Sequence, residues 1–236
     1  KHPIIVLHAN ASFTDFDETI PQRYSNVHVN PTRFNHIKFT SMLGVIASNF
    51  HFSEQFDYDY HCILHSNMMF IKHGIEDYYK GTDSSYYSWQ MKDETRSNIM
   101  IENTNILSLI TKEEIFNNFA EGTHCSKEIF KSLIEWIEPY QNFMTWPHGC
   151  IEEVVMPTLC YAFSDKKKMV RTAMALCENV GDYEGGPSID KVKEFLVKDN
   201  QSSDWRGEML NTNDVFFIKR VRRSLDDPLR QFINSL

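Results

Sequence analysis

Residues Pro3 to His8 (PIIVLH) form a continuous apolar, β-branched run that stops where Asn10 and Ser12 begin a polar stretch. A run without polar alternation suits a strand covered on both faces, the position of a strand in a parallel sheet flanked by helices. The residues that follow have the order such a sheet needs. Asn26 to Asn30 (NVHVN) alternates briefly before Pro31 and reads as a second strand. Thr32 to Phe52 changes to a helical period through Phe34, Ile37, Phe39, Leu43, Val45 and Ile46. Tyr58 to Phe70 (YDYHCILHSNMMF) carries the strongest strand signal and turns polar at His65-Ser66-Asn67. Strand, crossover helix and strand predict an α/β fold, a mixed and mostly parallel sheet flanked by helices, in one domain spanning residues 1–236. Ligands of such sheets gather at the carboxyl ends of the strands, so His8 to Asn10 and His65 to Asn67 are expected on one rim.

Further along, Lys80 to Asn105 is polar and reads as a loop that covers the site. A Thr-Lys-Glu-Glu capping pattern from Thr111 predicts a helix near Glu113 to Phe119, and Ser126 to Ile137 predicts another that Pro139 stops. Glu152 to Phe163 (EEVVMPTLCYAF) is an apolar helical segment with two carboxylates at its head. Ser188 to Val197 reads as a short helix, Gln201 to Asn213 as a loop, and Phe216 to Val221 (FFIKRV) as a last strand or ordered arm.

Charge narrows the possible partners. The 236-residue chain has a formal net charge of -8, which disfavours a general nucleic-acid binder because phosphate contacts need clustered Lys and Arg. Near the carboxy terminus the sign reverses at Lys219, Arg220, Arg222, Arg223 and Arg230, a local cationic arm suited to a small anionic ligand. Cys62, Cys125, Cys150, Cys160 and Cys177 are odd in number and have no C-x-x-C spacing, so neither a disulfide framework nor a zinc site is indicated and a reducing compartment fits. No apolar run approaches the roughly 18–20 residues of a membrane span, and the start lacks a signal-type segment. The expected location is cytoplasmic, or peripheral to a membrane.

Two features could carry chemistry. Glu152-Glu153 heads a helix, where the dipole favours a carboxylate, and a positioned Glu can deprotonate an acceptor hydroxyl; plain helix capping is the competing reading. Lys219-Arg220 follows two Phe that would pack the arm onto the body, and fixed cations can neutralise a departing diphosphate; a solvated basic tail is the alternative. Asp57 and Asp59 form an Asp-x-Asp, but at the beginning of their strand, whereas the opposite end reads His65-Ser66-Asn67-Met68-Met69 without a carboxylate. Histidine pairs such as His61 with His65 and His124 with His148 lack a ligand motif and read as core or polar histidines.

In order, IIVLHANAS, NVHVNPTRF, CILHSNMMFIK, AEGTHCSKEIFKSLIEWIE, GCIEEVVMPTL and FFIKRV resemble successive segments of the core-2/I-branching β-1,6-N-acetylglucosaminyltransferase and peptide O-xylosyltransferase family, in the manner of a bacterial-type relative. The resemblance implies a GT-A-like fold and inverting, metal-independent transfer from a nucleotide sugar, a UDP-sugar, to a glycan hydroxyl. It further implies Glu153 as catalytic base, Lys219 or Arg220 on the donor diphosphate, Asn10 near the uridine, and Ser66 and Asn67 lining the donor pocket. His8 joins the donor side by its place on the rim, while Glu152 and Glu121 are placed as supporting or acceptor-side carboxylates. No cofactor and no metal are expected. The family's opening strand and helix have no counterpart here, Asn10 and Met68 stand where the family has Asp, and Arg206 is a candidate for a second phosphate contact.

Two other readings stay open. The chain could be a degenerate transferase fold that binds a glycan or a protein without chemistry, or an inverting glycoside hydrolase with Glu121 as acid and Glu153 as base, since two carboxylates about 6.5 to 9.5 Å apart suffice.

Overall fold

A computed structural model of the chain describes residues 4–7, 19–32, 42–86, 120–140, 152–176, 187–203, 207 and 209–236. It is a mixed α/β structure whose chain divides into two compact units. The first holds Lys1–His61, Trp89–Ala120 and Cys125–Lys166; the second holds Cys62–Ser88, Glu121–His124 and Lys167–Leu236.

In the first unit, β1 (Ile5–Leu7) lies within the PIIVLH run and pairs in parallel with β2 (Val27–Val29), the second predicted strand. The short helix α1 (Ile20–Arg23) connects them. Of the predicted crossover helix, the described portion is α2 (Met42–Ser53), which buries Leu43, Val45 and Ile46 of the helical pattern together with Ala47 and Phe50. The strand β3 (Tyr60–Cys62) ends earlier than expected. Residues 63–67 leave the extended conformation through a turn, and β4 (Met68–Phe70) belongs to the second unit.

Sequence and structure agree closely at the amphipathic helices. Helix α4 (Lys127–Ile137) begins where the Ser126 side chain accepts a hydrogen bond from the Ile129 N–H, satisfying one of the amide groups that a helix start leaves unpaired. Its Phe130, Leu133, Ile134 and Ile137 recur at three- and four-residue spacing, all fully buried, and pack towards α5 (Glu152–Phe163). The helix stops just before Pro139, in a 3-10 turn over Glu138–Tyr140. The predicted helix over Glu113 to Phe119 lies outside the described residues.

The second unit contains α3 (Ile75–Tyr79), β5 (Ser84–Tyr86), β7 (Met169–Arg171), β8 (Met174–Leu176), α6 (Ile189–Leu196), β9 (Gln201–Ser203), β10 (Met209–Asn211), β11 (Phe217–Lys219) and α7 (Pro228–Asn234). The remaining strand, β6 (His124–Ser126), straddles the two units, as does β3. Strand β11 is central in a three-stranded sheet, antiparallel to β4 and parallel to β8, and all three of its residues are buried. Ile218 contributes to a core with Ala175, Val192, Phe195, Leu210, Val215, Val221 and Ile233.

Two segments read as loops contain strands. Ser84–Tyr86, within the polar stretch from Lys80, pairs in parallel with β7. Within Gln201 to Asn213, β9 and β10 pair antiparallel, Met209 opposite Ser203. The three strands are each three residues long and together mostly polar, and they bury Ser84, Ser85, Ser202 and Leu210, so no run of apolar alternation marks them in the sequence. Among the described residues no helix is long and apolar enough to cross a membrane.

Gly122 shows how tightly the second unit is built. Its φ is +81°, and a Cβ there would meet Met174 Sδ at 3.1 Å, Met174 Cβ at 3.2 Å and Phe217 Cε2 at 3.2 Å. Its N–H donates to the Ile63 carbonyl at 2.8 Å, and its own carbonyl accepts from Thr172 Oγ1 at 2.9 Å. Backbone conformation and lack of space thus both demand glycine. Gly122→Ala is expected to lower stability by about 1–3 kcal/mol in urea unfolding, from strain plus overpacking.

Candidate functional site

The polar stretch after β3 is a turn. The Met68 N–H donates to the His65 carbonyl at 2.9 Å, and the His65 N–H points back to Met68 Sδ at 3.3 Å. Chain reversal here starts β4, whose Met68 is in register with Lys219 of β11. The end of β11 is thereby placed beside the turn, and the Val221 N–H closes the junction by donating to the Asn67 carbonyl at 2.9 Å. Between them, Arg220 has φ +78°. A non-glycine residue in that region is uncommon and is kept there only when its neighbours fix it, as the flanking strand and the Val221–Asn67 bond do.

Further arginines lock the turn from the arm that follows. Arg223 Nε donates to Ser66 Oγ at 2.7 Å, and Arg230 donates from a terminal nitrogen to the Ser66 carbonyl at 3.3 Å and from Nε to the Arg222 carbonyl at 3.0 Å. Arg230 is itself positioned by α7, whose start is capped by Asp227 through the N–H groups of Leu229 and Arg230. Pro228 at the helix start pre-sets the backbone there.

Beneath the turn lies a charge cluster. Lys219 is 6% exposed and Glu121 9%, and Lys219 Nζ donates to Glu121 Oε1 at 2.8 Å. His65 Nδ1 lies 2.8 Å from the same oxygen. Burial pushes the Glu121 carboxyl upward, but the His65 hydrogen bond and the Lys219 charge outweigh it and hold the group down at about 2. Glu121 is therefore ionised across the physiological range. Among the described residues, its other oxygen, Oε2, and Asn67 Oδ1 are buried acceptors without a hydrogen-bond donor. Buried acceptors in that state favour a ligand that brings hydroxyl or amino donors.

The structure thus gathers Glu121, His65, Ser66, Asn67, Lys219 and Arg220 in the second unit, and adds Arg223 and Arg230, whose hold on Ser66 the spacing of the basic arm did not specify. Glu152 and Glu153 occupy the first turn of α5 in the first unit, Glu152 buried at 5% and Glu153 half-buried. His8, Asn10 and Arg206 lie outside the described residues. Two other histidines serve packing. His124 stacks on Tyr79 with centroids 3.5 Å apart, and burial lowers its imidazole to about 3; His61 stacks on Phe130 at 4.0 Å, and burial lowers it to about 4. Both are neutral at pH 7. Among the described residues, no group of three or more His, Cys, Asp or Glu is arranged to hold a metal ion.

Glu121→Gln leaves a buried ammonium without its counter-charge and is expected to cost about 3–5 kcal/mol at pH 7, with Glu121→Gln/Lys219→Met recovering most of it. Because the folded carboxyl titrates at about 2 against an ordinary 4.5, its stabilisation is complete above pH 4.5 and disappears as pH falls towards 2. Denaturant titrations across that window should therefore show a steeper acid loss in the wild type than in Glu121→Gln. Compared with known proteins, the chain matches no protein-family model and no curated relative.

Proposed function

We propose that the chain is an inverting glycosyltransferase that works without a metal and moves a sugar from a nucleotide donor, a UDP-sugar, to a glycan hydroxyl. The observation that carries this reading is the convergence of Arg223 and Arg230 on Ser66 of the turn, beside the buried Lys219. Fixed cations around a strand-end turn suit a diphosphate, whose charge grows as the bond to the sugar breaks. Since Glu121 already neutralises Lys219, most of the net positive field at this turn belongs to the arginines, and guanidinium groups match phosphate oxygens in bidentate fashion.

In this mechanism Glu153, at the head of α5, takes the proton from the acceptor hydroxyl as that oxygen attacks the anomeric carbon. The carbon–oxygen bond to the diphosphate breaks on the opposite face, giving inversion, and the arginine-rich turn receives the departing charge. A GT-A-like arrangement of the strands and a glycan acceptor are part of the same proposal. The second reading, a transferase fold that binds a glycan or protein without chemistry, is favoured by the Lys219–Glu121 pair, because a lysine matched inside the fold has less charge to offer a phosphate.

Calorimetric titration with UDP and a panel of UDP-sugars separates the two. The transferase reading expects binding heats that EDTA leaves unchanged; no heat with any nucleotide supports the binding module. For the chemical step, Glu153→Gln should lower transfer by about 100-fold or more with UDP affinity unchanged. Turnover within about tenfold of wild type would remove Glu153 from its role.

A further inference from the structure

In the first unit, Cys125 of β6 and Cys160 of α5 are both fully buried, and their sulfur atoms lie 3.0 Å apart. Even two carbon atoms prefer a separation of about 3.5–4.0 Å, and sulfur is the larger atom. Two thiols that merely filled core space as small apolar groups would settle at or beyond that spacing. At 3.0 Å the two sulfur atoms lie inside that spacing, with about 1 Å left to close before the approximately 2.05 Å of a covalent sulfur–sulfur bond. The residues are 35 apart in sequence, and the elements that carry them are rigid, Cys125 directly preceding the Ser126 cap of α4 and Cys160 lying in the interior of α5.

We infer that Cys125 and Cys160 form a structural disulfide. The oxidant is a small disulfide such as oxidised glutathione. One cysteine thiolate attacks it, giving a mixed disulfide and one released thiol; the second thiolate then attacks the protein sulfur and releases the other. Each cysteine gives up its proton, the pair gives up two electrons, and one oxidised glutathione becomes two reduced. Full burial of both sulfur atoms in the folded chain keeps a bulky oxidant out, so the bond forms during folding and afterwards resists reductant.

The bond ties β6 to α5 at a point seven residues, about two helical turns, beyond Glu153, and so on the helix face that also carries Glu153. It fixes the helix along its length and is independent of what Glu153 does. It also points to folding in an oxidising compartment, in contrast to the reducing one that five scattered cysteines suggest.

The test is to refold the full chain from denaturant in mixed reduced and oxidised glutathione, alkylate surviving thiols under denaturing conditions, and map proteolytic peptides by mass. The expected result is one cross-linked species joining Cys125 to Cys160 and lighter by two hydrogens than its reduced components. Alkylation of both residues in most molecules, or their linkage to Cys62, Cys150 or Cys177, overturns the inference. Thermal unfolding gives a second readout on the same material: prior reduction in denaturant should lower the midpoint by roughly 5–10 °C in the wild type and leave Cys160→Ala unchanged. A wild type indifferent to reduction contradicts it.

Discussion

The ion pair between Lys219 and Glu121 is the interaction on which the second unit's candidate site depends. Lysine at the end of a fully buried central strand would be untenable alone, because an ammonium removed from water without a counter-charge costs several kcal/mol. Glu121 supplies that charge at 2.8 Å, and its position follows from Gly122, whose left-handed backbone bends the chain between Glu121 and β6. His65 joins the same oxygen, so the turn after β3 is tied to β11 by a side-chain contact as well as by backbone pairing. Arg223 and Arg230 then close over Ser66 from the outside. Each layer presupposes the one beneath it: a glycine that permits the bend, a carboxylate that permits the buried lysine, and a strand end that presents arginines to a turn.

This arrangement bears on how an anion would be received. A lysine engaged by a carboxylate serves the fold first, and its share of an incoming phosphate is reduced by the charge it already answers. Arg223 holds Ser66 through Nε, and Arg230 uses Nε and one terminal nitrogen; a guanidinium has five N–H groups in one plane, which is why it can hold a structural contact and take part in a ligand contact together. The tension between a neutral buried pair and a cationic exterior is what separates a catalytic reading from a purely binding one.

Helices were readable from sequence where a strong period met a defined start. Ser126 and Ser188 cap α4 and α6 as their positions suggested, and the apolar spacing behind each faces a core. Short strands were less readable. Met169 to Leu176 (MVRTAMAL) forms β7 and β8, but three-residue strands interrupted at Thr172-Ala173 give no alternation to detect. The β9–β10 pair consists largely of polar residues and is specified by its partners rather than by its own composition. Helix α7 did carry a signal, Asp227 followed by Pro228, yet seven residues are too few for a period to stand out. For the site, polarity at a strand end selected Ser66 and Asn67, and apolar neighbours selected Lys219 as packed rather than solvated. Nothing local marked Glu121 as the partner of Lys219 or Ser66 as the anchor of two arginines, because those pairings are made by the fold between distant segments.

The central claim is that the arginine-bounded turn receives a nucleoside diphosphate. The most direct measurement is a titration of isotopically labelled protein with UDP, followed through the arginine Nε–H signals and the Val221 amide by nuclear magnetic resonance. Saturable shifts at Arg220, Arg223, Arg230 and Val221 are predicted. Signals that stay fixed there, or a saturable response confined to the first unit, would contradict the account.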